Sequence, residues 1–167
     1  MRTPWLHRHF MIGSDDHLRA LGLLTVDFGA ADEALAGYVS SLSDIMIAED
    51  PHVKERLQEL DFSAKVKGFR MFVRVVSDRY RLDGSRLFRQ LDAVAQMADY
   101  RNDIIHGWIQ WDSKAQRPAF RNKRKPLRSA TAADIGRLCK RLETWFDGTR
   151  EAYADFLDQL QAALRGA

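Results

Sequence analysis

SRLFRQLDAVAQMADYRNDIIHG, residues 85–107, carries apolar residues at Leu87, Leu91, Val94, Ala98 and Ile105. Steps of three and four put them on one side of an α-helix, the pattern of an element that buries one stripe against neighbours. Ser85 stands where a capping hydroxyl is favoured. Gly107 stands just past the last periodic residue, the usual place for a left-handed closing residue. Arg101 falls on the same stripe, where a bundle helix normally presents an apolar side chain.

The same helical period extends in both directions. Upstream, Leu82-Asp83-Gly84-Ser85 reads as a turn, preceded by a stripe at Phe62, Val66, Phe69, Val73, Val76 and Tyr80. Asp50-Pro51 is a helix-start pair that opens a short polar helix to about Leu60. Ser14-Asp15-Asp16 opens a long helix with its stripe on Leu21, Leu24, Phe28, Ala31, Leu35, Tyr38, Leu42 and Ile45. Downstream, Trp108-Ile109-Gln110-Trp111 is short and aromatic, and the segment after it holds Pro118 and Pro126. Thr131 to Asp134 resembles a capping box, and a last helix follows on Ile135, Leu138, Leu142, Trp145, Thr149, Ala152 and Phe156, to near Leu164. The expected fold is all-α: an up-and-down bundle of four long helices plus one short helix, with a small β-hairpin or extended basic loop before the last helix. One domain spans 1–167, with 1–13 as an extension and 108–130 as the basic excursion.

Composition agrees with this reading. The chain is 46% hydrophobic and 29% charged, which suits a globular protein and not a disordered one. Cys139 is the one cysteine, so no intramolecular disulfide forms and no zinc site rests on thiolates; a reducing, cytoplasmic setting is expected. Ala20–Val26 is apolar but ends at Asp27, too short to span a membrane, and Met1–Gly13 lacks the pattern of a signal peptide. Charge is unevenly spread. Lys114, Arg117, Arg121, Lys123, Arg124, Lys125 and Arg128 lie between Ser113 and Ala133 with no acid among them, so the remainder of a chain of net charge +3 carries −4. Such a basic patch on a mildly acidic body suits an anionic polymer.

A buried guanidinium without partners costs several kcal/mol, on the order of a desolvated charge. Arg101 is therefore paired inside, snorkelling outward near the helix end, or lining a polar cleft. Asn102 and His106 are four apart and share one helix face. Arg101 and His106 are five apart, about 140° around the helix, but arginine is long and the backbone turns at Gly107. A plainer role also exists, since basic groups near a helix C-terminus complement its dipole. His7 and His9 read as surface residues, as do Asp27, Asp32 and Glu33 on the first helix. No phosphate-cradling glycine loop, serine elbow or two-metal carboxylate cluster is present in the sequence.

The stretch Tyr100-Arg101-Asn102-Asp103-Ile104-Ile105-His106-Gly107-Trp108 resembles the signature of the HEPN superfamily (higher eukaryotes and prokaryotes nucleotide-binding domains), an Arg often followed by Asn, with a His five positions after the Arg, near the end of a bundle helix. In architecture the resemblance covers most of the chain; in sequence it covers these nine residues. It implies a metal-independent endoribonuclease that uses no cofactor and dimerises so that two motifs face one cleft. It also implies a possible place in toxin–antitoxin systems or phage defence, with an antitoxin protein as partner. Other members are non-catalytic modules that bind RNA, nucleotides or proteins. The matching positions are Arg101, Asn102 and His106. Trp108 departs from the toxin branch that carries a modifiable Tyr two residues after the His.

The chemistry of these side chains suits that activity. A histidine serves as base or acid near neutrality, and an arginine holds phosphate with two prongs. One chain offers one such histidine, so acid and base together call for a two-fold dimer. The basic residues 114–128 are expected to hold the RNA backbone, with Phe120, Trp108 and Trp111 available to stack bases.

Overall fold

Stripes of apolar residues every three or four positions must face one another, and four helices do so here. The computed structural model describes residues 15–47, 59–106, 108–114, 117–121, 128–129 and 131–166. The long helices are α1 (Asp15–Ile47), α2 (Phe62–Tyr80), α3 (Ser85–His106) and α4 (Ala132–Arg165). Between α3 and α4 lie three short strands, β1 (Trp108–Asp112), β2 (Arg117–Arg121) and β3 (Arg128–Ser129). They form one antiparallel sheet in the order β1-β2-β3, with Ile109 opposite Phe120 and Phe120 opposite Arg128. The expected helical bundle and the expected hairpin in the basic excursion are both present. The extension 1–13, and the expected short helix except for Glu59 and Leu60, lie outside the described residues.

One core runs through all four helices. Leu24, Leu35, Leu42, Phe69, Val73, Leu87, Leu91, Leu138, Leu142 and Phe156 are all at most 1% exposed. Burial of this kind, at about 25 cal/mol per Å² of apolar surface, is the main force holding the helices together. Tyr38 stacks on Phe69 and meets the ring of Tyr153, so three helices share one aromatic cluster.

The paired contacts also set the direction of each helix. Phe28 meets Phe62, Asp32 meets Lys65 and Tyr38 meets Phe69, so α1 and α2 ascend together. The Tyr153 hydroxyl donates to the Tyr38 carbonyl oxygen, and Cys139 lies beside Asp27, so α4 runs the same way. Arg70 pairs with Asp92, and Trp145 Nε1 donates to the Gln90 carbonyl oxygen while Arg86 meets Asp155, which sets α3 opposite to both neighbours. Alternation therefore holds across α2, α3 and α4, whereas α1 is parallel to α2 and α4, the two helices that carry most of its packing. The reason lies in the connections. Only the short turn 81–84 separates α2 from α3, which forces reversal. Residues 48–61 give α1 ample chain to return before α2 begins.

The ends of the helices follow local chemistry. Asp61 caps α2 by accepting from the Ala64 amide at 2.7 Å. Arg81, at φ 57°, supplies the left-handed closure of α2, a role glycine more often fills. Asp83, rather than Ser85, makes the capping contact at α3, accepting from the Ser85 amide at 2.9 Å; these hydrogen bonds hold its carboxyl below the usual range. Gly84 is a close-approach glycine, since a Cβ there would lie 2.8 Å from Ser77 Oγ and 3.0 Å from Val73 Cγ1. The expected capping box at α4 is present, with Thr131 and Asp134 bonded reciprocally.

The stripe of α3 rotates near its end. Met97 and Ile104 are buried, while Ile105, expected on the stripe, is 41% exposed. Leu87 and Val94, and likewise Met97 and Ile104, are seven residues apart, so burial follows the 3.5-residue period of supercoiled packing and not the 3.6-residue average of the expected stripe, which moves it by one residue at the helix end. Arg101 is left at the edge of the core rather than in its centre.

Candidate functional site

Arg101 sits in the last turns of α3, half-buried, in the wall of a cleft of about 720 Å³ between α1, α2 and α3. Its guanidinium lies over the ring of Phe28, 5.9 Å from the centroid, a cation–π arrangement. Its Nη1 donates to Asn102 Oδ1 at 3.1 Å. Its Nε is buried and has no acceptor among the described residues, and it forms no ion pair with a described carboxylate. Of the three situations open to a charged group on a core stripe, Arg101 lines a polar cleft.

Asn102 lines the same cleft and is exposed. Its side-chain oxygen is engaged by Arg101, which leaves the amide NH₂ free to donate. His106 is the last residue of α3 and is exposed. It is not among the residues that line the cleft. Arg101 and Asn102 are thus brought together, and His106 stands about a turn and a half further along, on the open end of the helix.

The rest of the cleft wall comes from α1 and α2. Lys65 is buried and its ammonium lies 2.5 Å from Asp32 Oδ2. Arg70 is engaged by Asp92, and Asp61 by its own helix. Lys67 and Asp99 also line the cleft and have no ion-pair partner among the described residues. Asp32, read from sequence as solvated surface, faces the cleft after all, and it holds Lys65 rather than Arg101 or His106. Asp27 lies beside the thiol of Cys139. Burial first, and the Asp27 carboxylate second, push that thiol up to about 12, so it stays protonated and unreactive.

Lys65 and Asp103 escaped the sequence reading. Asp103 is 2% exposed in the same turn as Arg101. Lys65 had a detectable signal, since it lies three residues after Phe62 and four before Phe69 and so shares their helix face. Asp103 had none, because adjacent charged positions at a helix end look alike without the fold.

Lys114 is exposed in the β1–β2 turn, its amide bonded to Asp112 Oδ1 at 2.9 Å. Arg117 and Arg121 are at the two ends of β2 and Arg128 is on β3. Lys123, Arg124 and Lys125 lie outside the described residues, as do the side chains of Trp108, Trp111 and Phe120. Among the described residues, no group of three or more His, Cys, Asp or Glu side chains gathers as a metal site. No described helix is long and apolar enough to cross a membrane.

No family model, curated protein or solved structure matches this chain.

Proposed function

We propose that this protein is a metal-independent endoribonuclease of the HEPN type, acting in the cytoplasm as a dimer. The observation that carries the reading is the state of Arg101: a half-buried guanidinium without a described carboxylate partner, oriented by Asn102, on the same helix end as an exposed imidazole. A charge kept at the edge of a core with no counter-ion is poised for an external anion. In the proposed step one His106 takes the proton from a ribose 2′-OH. The 2′-oxygen bonds to phosphorus, the bond from phosphorus to the 5′-oxygen breaks, and the partner's His106 gives that oxygen a proton. Arg101 balances charge on the phosphorane. The product is a 2′,3′-cyclic phosphate. The basic residues Lys114, Arg117, Arg121, Lys123, Arg124, Lys125 and Arg128 hold the RNA backbone, and toxicity or phage defence, checked by an antitoxin, is the matching biological role. The test is incubation with labelled RNA in EDTA: cleavage lost in His106→Ala supports the reading, and equal cleavage by that variant refutes it.

The position of His106 outside the cleft favours a second reading, a non-catalytic module in which Arg101 and Asn102 bind RNA, a nucleotide or a protein. Salt-sensitive RNA binding with no cleavage is its signature.

A further inference from the structure

We propose that the cleft between α1, α2 and α3 is a phosphate site within a single chain, with Lys67 as a second cation lining the cleft that Arg101 lines. The inference rests on the RNA reading for the source of the phosphate and adds a residue that neither the basic excursion nor the Arg–His motif includes.

Every other charge in the cleft wall except Asp99 already has a partner. Lys65 is bound to Asp32, Arg70 to Asp92, and Asp61 to the Ala64 amide. Two cations, Lys67 and Arg101, remain without an ion-pair partner among the described residues, against one carboxylate, Asp99, which is exposed and well hydrated. The buried Nε of Arg101 lacks an acceptor among the described residues, and the Asn102 amide is free to donate at the same wall. An oxyanion satisfies a guanidinium donor that a neutral ligand or a cation leaves unmet. The cleft volume of about 720 Å³ admits a phosphate with its sugar. The Lys65–Asp32 pair braces α1 against α2 beside this site, and Lys67, two residues on, is exposed and lines the same cleft.

The test uses 2′-O-methyl RNA, which lacks the nucleophile and so reports binding alone, measured by fluorescence anisotropy in EDTA. Lys67→Gln and Arg101→Gln should each weaken binding about three- to ten-fold and lower the slope of log K against log salt by about 0.7. Lys140→Gln, in the separate groove between α3 and α4, should change neither. Lys67 is exposed, so its variant folds and the result stands even where Arg101→Gln does not. Wild-type affinity and slope in Lys67→Gln overturn the inference for RNA. Inorganic phosphate supplies the other arm: a rise in wild-type melting temperature that Lys67→Gln loses, with RNA binding unchanged, assigns the cleft to free phosphate. Failure here is distinct from failure of the nuclease reading. Lys67-dependent binding without cleavage in the wild type sinks the enzyme and keeps the site, and cleavage indifferent to Lys67 does the reverse.

Discussion

The side chain of Lys65 is 4% exposed and its ammonium lies 2.5 Å from the carboxylate of Asp32, a side chain that is 36% exposed. The two halves of this pair are not equivalent. Asp32→Ala strands a buried cation, which costs about 3 kcal/mol for a fully buried charge and about 2 here, where water reaches the pair. Lys65→Met removes the buried charge itself and leaves the carboxylate on a side chain 36% exposed, with Asp32 Oδ1 already buried and unpaired, and should cost about 1 kcal/mol, less than Asp32→Ala. Urea denaturation of both variants checks the asymmetry; equal losses would show that burial does not govern the pair.

Asn102 holds Arg101 through its side-chain oxygen at 3.1 Å. Under the RNA-cleavage reading, Asn102→Ala should lower kcat/KM about ten-fold by loosening the guanidinium, while Arg101→Lys should lower it about a hundred-fold, since an ammonium keeps the charge and loses the two-pronged grip. Single-turnover cleavage in EDTA separates the two. Full activity in Arg101→Lys would leave only a general positive charge at that position.

Cys139 is 3% exposed and its thiol is pushed up to about 12. The native protein should not react with a disulfide reagent at pH 8 over minutes, and should react at once in guanidinium. The folded chain binds this proton more tightly than the unfolded chain does. Stability is thus retained below the ordinary thiol range and declines as pH rises from there toward about 12. Rapid labelling of folded protein would contradict this burial.

His17 is 4% exposed, and burial lowers its pKa. The unfolded chain therefore takes up this proton first as pH falls. The His17 contribution to stability is present above about 6.5 and is lost below it. Thermal melts at pH 7 and pH 5 should differ less in His17→Gln than in the wild type. An unchanged difference would assign the acid sensitivity to other groups.

Gly84 is the tightest joint between α2 and α3, with Ser77 Oγ 2.8 Å from the position of a Cβ. Gly84→Ala should cost about 1–3 kcal/mol through overpacking, and Gly84→Ala with Ser77→Gly should recover part of it. A denaturation series of the single and double variants tests the coupling.

The sequence by itself determined the four helices, the cap at Thr131 and most of the core, because period and end-capping are local properties, whereas the caps at Asp61 and Asp83 came from the structure. The α4 stripe from Ile135 to Phe156 reads off its spacing and is buried throughout. It also singled out Arg101, a charge on an apolar stripe, and with it the nine-residue motif. Only the tertiary structure decided that α1 runs parallel to α2 and α4, since a connection of this length permits either sense. Only it rotated the end of α3, moving burial from Ile105 to Ile104, and only it joined Asp32 to Lys65 across a gap of 33 positions. Which charges are already satisfied depends on neighbours far apart in the chain, and that matching left Arg101 and Lys67 open in one cleft.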